Sequence, residues 1–475
     1  MKKRLLPFAA MAAILASCSS ENVLETNPDP TGQALSFSIA VGHTRATETT
    51  INNLGNFAVV AKGVHPHGGV YDHFLIGDAS AGETVYHKDD EWKLDRNVYW
   101  PTSIDNALFW AYTCAQEEES KNTILPEECT FKFDNSNKSV QLSNFSPAKS
   151  DLTTTASDGL WADGRNQVDL LVAFTQAERK SGSTVTLSFK HALSQMDIKA
   201  KSNNKKSNDH RVVYIKGAWI INTKDKADLI SGYSWDSEKN KATETSSWNN
   251  HGFKDPDQAF SAYGSFYKQL KTLDDSNDEL NLLDNQTLMF IPQKITAWDK
   301  GETNYSKNQS YILLLCRVEL KHSGATHTGG GAVDPNKDDD IAVQDEYHYH
   351  QMFPVNENKT FNEQEYGFAC VPVGTTFEMG KKYIFNLDIC GVASGAGNYP
   401  PETDNINFEN LLPTGENKFT SHLGNEVSLS IVKRPDNKKI GDPILDEEIK
   451  FNVEVSPWAD GGTWTNGSET QTTEE

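Results

Sequence analysis

The sequence predicts an all-β protein of two β-sandwich domains, and three observations predict it. The first is strict alternation near the N-terminus. Leu35, Phe37, Ile39 and Val41 are apolar, while Ser36, Ser38, Ala40 and Gly42 are small or polar. Successive strand side chains point to opposite faces, so this period of two describes a strand with one apolar face. The second is the recurrence of short apolar runs between clusters of Pro, Gly, Asn, Asp and Ser. The third is the scarcity of segments with helical periodicity. In chain order, strands are expected at 35–41, 57–62, 97–100, 108–113 and 168–174. Further strands are expected at 185–199, 212–221, 286–291, 311–320, 367–373, 382–389, 427–433 and 449–455.

A single sandwich does not absorb 475 residues, so two are expected. The charged, Ser- and Gly-containing stretch Arg179–Gly182 is the expected division, giving domains 34–180 and 181–460. Ser202–Asp209 and Ser323–Asp345 read as long loops, the second carrying Gly329-Gly330-Gly331 and Asp338-Asp339-Asp340. Residues 461–475 are rich in Thr, Gly and Glu and read as a disordered tail.

The first seventeen residues are an export signal. Lys2, Lys3 and Arg4 precede an apolar run from Leu5 to Leu15, too short to cross a bilayer as a helix. The run ends in Leu15-Ala16-Ser17-Cys18, small residues before a cysteine. That is the cleavage signal of a lipoprotein, whose new N-terminal thiol, here Cys18, carries diacylglycerol. Residues 18–33 are polar with two prolines and read as a flexible tether.

The formal net charge is −22, and removing the basic signal segment makes the mature chain more acidic. Such a surface disfavours nucleic acid and anionic membranes as partners and suits solubility outside the cell. Contact with a membrane is expected only through the lipid on Cys18. Setting Cys18 aside leaves Cys114, Cys129, Cys316, Cys370 and Cys390, an odd number. Cys316, Cys370 and Cys390 sit in apolar runs and read as small buried hydrophobes, whereas Cys114 and Cys129 are open to pairing. Without a CxxC pair, thiol redox chemistry is not indicated.

Catalytic patterns are missing. No Gly-x-Ser-x-Gly elbow is present: Gly182-Ser183-Thr184 lacks the second glycine. HExxH, Walker and dinucleotide-binding patterns are also missing. His348 and His350 would share one strand face, but nothing nearby completes a recognisable ligand set. His65, His67 and His73 read as loop residues. Asp334, Asn336, Asp338 and Asp340 alternate like the start of a calcium loop, but the sixth position is Asp339 rather than Gly and the twelfth is Asp345 rather than Glu. We therefore expect no enzyme, no metal and no cofactor.

Arg45 follows directly after the alternating strand and precedes the small, polar run Ala46-Thr47-Glu48-Thr49-Thr50. It is the sole lysine or arginine between Arg4 and Lys62. Exposed polar stretches of this kind are where proteases cut.

These features together resemble the fimbrillins, the type V pilin subunits. The resemblance rests on the cysteine signal at Cys18, Thr44-Arg45-Ala46, Asn56-Phe57-Ala58-Val59-Val60-Ala61, Val98-Tyr99-Trp100-Pro101 and Asp169-Leu170-Leu171-Val172-Ala173. It continues with Phe189-Lys190-His191-Ala192-Leu193-Ser194-Gln195 and closes on Phe451-Asn452-Val453-Glu454-Val455 with Trp458. It implies two transthyretin-like Greek-key sandwiches in tandem. It also implies travel through the periplasm to the outer membrane as a lipoprotein, then a cut after Arg45 by an Arg-specific surface protease, leaving Ala46 as the N-terminus. Removing the strand bearing Leu35, Phe37, Ile39 and Val41 would expose apolar core and unpaired backbone groups, an invitation to strand addition. The alternating segment Ile449, Phe451, Val453 and Val455 is the candidate donor. The implied partners are other copies of the chain and other fimbrial subunits, with a host glycan or protein as the adhesion ligand. Two other readings stand beside the polymerising subunit: a fimbrial anchor or tip subunit, and a surface glycan-binding lipoprotein using exposed Trp.

Overall fold

A computed structural model of the chain describes residues 34–41, 54–89, 91–114, 124–148, 167–179, 184–202, 209–274, 278–284, 286–301, 306–323, 341–344, 347–356, 360–401, 406–413, 417–445, 447–458 and 469–471. The described residues contain no α-helix, and the expected all-β class is borne out.

Ten strands open the chain: β1 (Ser36–Val41), β2 (Phe57–Val64), β3 (Val70–Ile76), β4 (Glu83–Lys88), β5 (Glu91–Leu94), β6 (Asn106–Thr113), β7 (Thr130–Asp134), β8 (Ser139–Phe145), β9 (Leu171–Glu178) and β10 (Thr184–His191). All but β7 and β8 form one sheet in the order β3-β2-β4-β5-β1-β10-β9-β6. β2 also pairs with β6, so the sheet curls back on itself and closes a ring that leaves only β3 outside. The interior is filled by alternate residues of every ring strand, among them Phe37, Phe57, Val59, Val85, Trp92, Phe109, Leu171 and Phe189. Closure removes the sheet edges that would otherwise recruit other chains.

Next come β11 (Ser194–Lys201), β12 (Asp209–Ile221), β13 (Lys226–Asp236), β14 (Lys241–Gly252) and β15 (Ala262–Leu273). β14, β13, β8 and β7 form a four-stranded sheet that covers the outside of the ring. Between them lie Val60, Trp110, Tyr112 and Val172 from the ring and Phe133, Leu142, Leu229 and Trp248 from the cover. β2 is thus buried on both faces at all eight positions. This explains why its residues 57–61 form a continuous apolar run rather than an alternation.

The remaining strands are β16 (Leu280–Asn281), β17 (Leu288–Phe290), β18 (Lys294–Ala297), β19 (Gln309–Ser323), β20 (Ile341–Gln344), β21 (Tyr347–Phe353), β22 (Glu365–Pro372), β23 (Thr375–Thr376), β24 (Lys381–Asp388), β25 (Lys418–Thr420), β26 (Glu426–Ser428), β27 (Ser430–Ile431), β28 (Lys450–Pro457) and β29 (Glu469–Gln471). The β11-β24-β28 sheet and the β12-β19-β22 sheet face each other over a second core that includes Ile198, Ile215, Leu314, Phe385 and Val453. The far face of the β12-β19-β22 sheet is covered by Phe408 and Leu411 of a 3-10 turn (Phe408–Leu411), with Phe419 and Leu429.

Strand pairing crosses the expected division at Arg179–Gly182. That polar run connects β9 and β10, which pair antiparallel, and both belong to the ring. The expected single strand 185–199 is two strands, because the chain leaves the ring at Ala192, whose N–H bonds Leu170 O at 2.8 Å. β13 and β14 then return to cover the ring.

Other departures have local causes. Residues 97–100 are not a strand: Val98 and Trp100 are buried, but Trp100 Nε1 donates to Ile104 O at 2.6 Å and Val98 O accepts from Leu35 N at 2.7 Å. Ile341–Gln344, placed in a loop by its acidic surroundings, pairs with β21. Glu469–Gln471, placed in a disordered tail, pairs with β28.

Candidate assembly interface

β1 is the strand on which the ring's closure depends. It runs parallel to β10 through six register pairs, Ser36↔Thr184 to Val41↔Phe189. Toward β5 it meets a single partner, Phe37↔Trp92. Its outward hydroxyls bridge to those of β10: Ser36 Oγ lies 3.1 Å from Thr184 Oγ1, and Ser38 Oγ donates to Thr186 Oγ1 at 3.0 Å. Its inward side chains are core. Leu35 and Phe37 are buried, and Ile39 packs against the same cluster. Phe37 meets Phe57 and Phe109 edge-on, with ring centroids 6.1 and 6.4 Å away. Phe57 in turn packs on Trp92 and Phe189.

Loss of β1 would leave two consequences side by side. The ring interior, walled by Phe57, Phe109, Trp92 and Phe189, would open to water. The edge of β10 would present a row of unpaired backbone groups, with Val185, Leu187 and Phe189 inward and Thr184, Thr186 and Ser188 outward.

The described chain stops at Val41 and resumes at Leu54. Arg45 and Ala46 fall in the segment between, and Cys18 precedes the first described residue, so all three lie outside the described residues. By chain order, a break after Arg45 severs β1 from β2.

The candidate donor segment is in place in this structure. β28 pairs antiparallel with β24 through eight register pairs, Lys381↔Pro457 to Asp388↔Lys450. Ile449 and Val453 are buried in the second core, with Phe451 and Val455 packed partly against it. The alternation seen in the sequence is therefore satisfied within the chain.

A junction links the end of β10 to the segment that follows β28. β10 finishes at His191, whose ring stacks on Trp458 at 3.9 Å and 8°. His191 Nδ1 lies 2.8 Å from Asp169 Oδ2, with both side chains buried. Trp458 N donates to Gly380 O at 2.7 Å, and Gly380 N to Leu193 O at 2.9 Å. The motif residues Asp169, His191 and Trp458 are far apart in sequence, and only the fold shows that they meet. Their spacing carried no signal of this.

The other sequence candidates are placed as follows. His348 lies opposite His322 in the β19–β21 register, and His322 Nε2 is 3.0 Å from His350 Nε2. Among the described residues no group of three or more His, Cys, Asp or Glu could hold a metal ion. His65 stacks on His67 and Tyr71 beside the tight turn at Gly68. Asp334 to Asp340 and Asp345 lie outside the described residues. Cys114, Cys129, Cys316, Cys370 and Cys390 are all buried. Burial pushes the Cys129 thiol up to about 12, and thiols held protonated in this way are poor nucleophiles.

A family model described as fimbrillin-like matches residues 120–315, from the approach to β7 into the middle of β19. Among solved structures, the chain is similar to a fimbrial protein from Bacteroides vulgatus, at 16% identity over 75% of this chain and 95% of that one, with a TM-score of 0.41. It is also similar to a candidate cell adhesion protein from Parabacteroides distasonis, at 11% identity over 90% of this chain and 99% of that one, with a TM-score of 0.32. A search of curated proteins finds no match.

Proposed function

We propose that this chain, fimbrillin-like over residues 120–315, is a structural subunit of a cell-surface fimbria that supports adhesion. It reaches the outer membrane through the periplasm as a lipoprotein modified on Cys18. An Arg-specific surface protease cuts after Arg45, β1 leaves, and a strand from a neighbouring subunit fills the opened ring. Ile449, Phe451, Val453 and Val455 are the donor residues, and other fimbrial subunits are the partners.

One observation carries the reading: the strand that completes the ring is joined to the rest of the chain through the segment that holds Arg45. Without that covalent link, β1 is held by its pairing with β10, one register pair with β5 and two buried side chains. The vacated space would require alternating apolar and polar residues, which the 449–455 segment has.

The test is the N-terminus and intact mass of the protein taken from the cell surface, with an Arg45→Ala variant alongside. A start at Ala46 without lipid in filaments, and unpolymerised monomer from Arg45→Ala, is the expected result. Normal filaments from Arg45→Ala would sink the cleavage step. A surface population that starts at lipid-bearing Cys18 would assign the chain to an anchoring role instead.

A further inference from the structure

Lys62 is a charged residue in a place where charge is costly. It stands on β2, on the face that meets the covering sheet, and is 1% exposed. Its Nζ lies 4.2 Å from the centroid of the Phe74 ring and 5.0 Å from that of Phe133. It donates to Asp72 O at 3.0 Å and to Asn135 Oδ1 at 2.9 Å. Desolvation lowers its pKa from the ordinary lysine value, opposed by the Asp72 carboxylate. The neutral amine this favours is the nucleophilic form.

Asn135 is held in place by its neighbours. It sits in the turn between β7 and β8, where Asp134 Oδ1 accepts from Ser136 N at 2.8 Å and Asn137 N at 3.2 Å. Asp134 Oδ2 accepts from Asn137 Nδ2 at 2.7 Å. The carboxamide is therefore presented to the amine by a braced turn rather than a wandering loop. Asn135 itself is exposed, so a leaving group has a path to solvent.

We propose that Lys62 and Asn135 become joined by an intramolecular isopeptide bond. The Nζ lone pair attacks Cγ of Asn135, and an Nζ–Cγ bond forms. The Cγ–Nδ2 bond breaks, and Nδ2 leaves as ammonia, carrying a proton that the amine gives up. One amide replaces another, so no oxidant, reductant or nucleotide is required. Holding amine and carboxamide in contact supplies the effective concentration that makes a slow acyl transfer feasible, and escape of ammonia makes it one-way. The bond would tie β2 of the ring to the hairpin of the covering sheet, across a sequence separation of 73. The cover would then stay fastened while β1 is exchanged.

Lys216 is the internal control. It too is 1% exposed, and its Nζ stands over the Phe266 and Phe419 rings at 4.9 and 4.6 Å. Its Nζ donates to the backbone carbonyl of Lys268 at 3.1 Å, where attack would expel no ammonia and would instead break the chain. Burial over two rings is shared by both lysines, and the carboxamide is what sets Lys62 apart.

The experiment is peptide mapping of the purified chain by mass spectrometry. The expected result is one branched peptide containing both Lys62 and Asn135, lighter by about 17 Da than its two components together, the mass of the ammonia expelled. Asn135→Ala, on a solvent-facing turn that tolerates the change, and Lys62→Arg should each give separate peptides of sequence mass. Recovery of unmodified Lys62 and Asn135 peptides from the wild-type chain would overturn the proposal and leave the pair as a hydrogen bond.

Discussion

The two cores of this molecule are closed in different ways. The first is a ring, in which every strand of the circuit has a neighbour on both sides, and β1 is the piece that completes it. The second lies between two facing sheets, with β28 near one margin, paired to β24 and to the short β29. Taking a strand from a ring opens the interior and frees two edges at once. Taking one from the margin of a sheet uncovers part of one face. Closure thus makes the first core stable while intact and vulnerable at a single strand, whereas the open arrangement lets β28 depart at smaller cost. The strand exchange proposed above would be served by that asymmetry.

The largest effect that can test the contrast is at Phe37. In the uncut chain, Phe37→Ala should cost about 3–5 kcal/mol, because the side chain is buried among Phe57 and Phe109. Denaturant midpoints with matched slopes would measure it. Once β1 has been cut away and lost, the same substitution should have no effect on the remaining body. A loss below about 1 kcal/mol in the uncut chain would mean that the ring does not depend on β1.

Ile449→Ala is the matching change in the second core. Ile449 is buried, but it lies just before a strand at the margin of its sheet. The expected cost is about 2 kcal/mol, the low end for such truncations, because a marginal site can collapse. If it equalled the Phe37 effect, the two closures would be energetically alike and the asymmetry would fail. The same variant should polymerise poorly, and the two readouts separate its role at home from its role as a donor.

Buried lysines sharpen the comparison through pH. Burial lowers the pKa of Lys216, behind the second core, from the ordinary 10.5 to about 8. The unfolded chain keeps the proton up to the ordinary value, while the folded chain releases it near 8. Between these limits the unfolded state binds more protons, so stability rises with pH, and the burial cost is fully present below the lower limit. Lys216→Met should remove this rise. The stability gap between variant and wild type should therefore be wider at about pH 7 than at about pH 9.5, as read by denaturant melts at each pH. A gap independent of pH would show that Lys216 does not titrate on unfolding in this window.

The strictly alternating segments were legible in the sequence because their burial follows the strand period. β1 and β28 both have one buried face, and residues 35–41 and 449–455 reveal it directly. β13 and β14 went unseen because their covering face is sparse: β14 buries little more than Ala242 and Trp248 among Thr, Ser and Asn. The polar stretch Arg179–Gly182 joins two strands of one sheet, β9 and β10, because polarity marks any exposed connection, whether between domains or between paired strands. Pairing partners were not legible at all. Nothing in residues 184–191 announces that they lie parallel to residues 36–41, since register is settled by closure of the ring. The Lys62–Asn135 contact was hidden for the same reason, with the lysine inside an apolar run and the asparagine in a turn.

The smallest effect concerns how β1 is held on its outer side. Ser38 Oγ donates to Thr186 Oγ1 at 3.0 Å, on an exposed face where water competes for both groups. Ser38→Ala should therefore cost about 0.5 kcal/mol in equilibrium stability, the low end for a hydrogen bond. Its effect on strand exchange should be easier to see. In cut chains the covalent link is gone, and the dissociation rate of β1 depends on every contact that remains. A cost of that size corresponds to a roughly twofold faster release if the hydrogen bond is broken in the rate-limiting step. Following release of β1 from the cut protein, in wild type and Ser38→Ala, would measure it. An unchanged rate would place the resistance to β1 departure in the buried Leu35 and Phe37 rather than in the hydroxyl ladder, and the ring would then be held shut from inside alone.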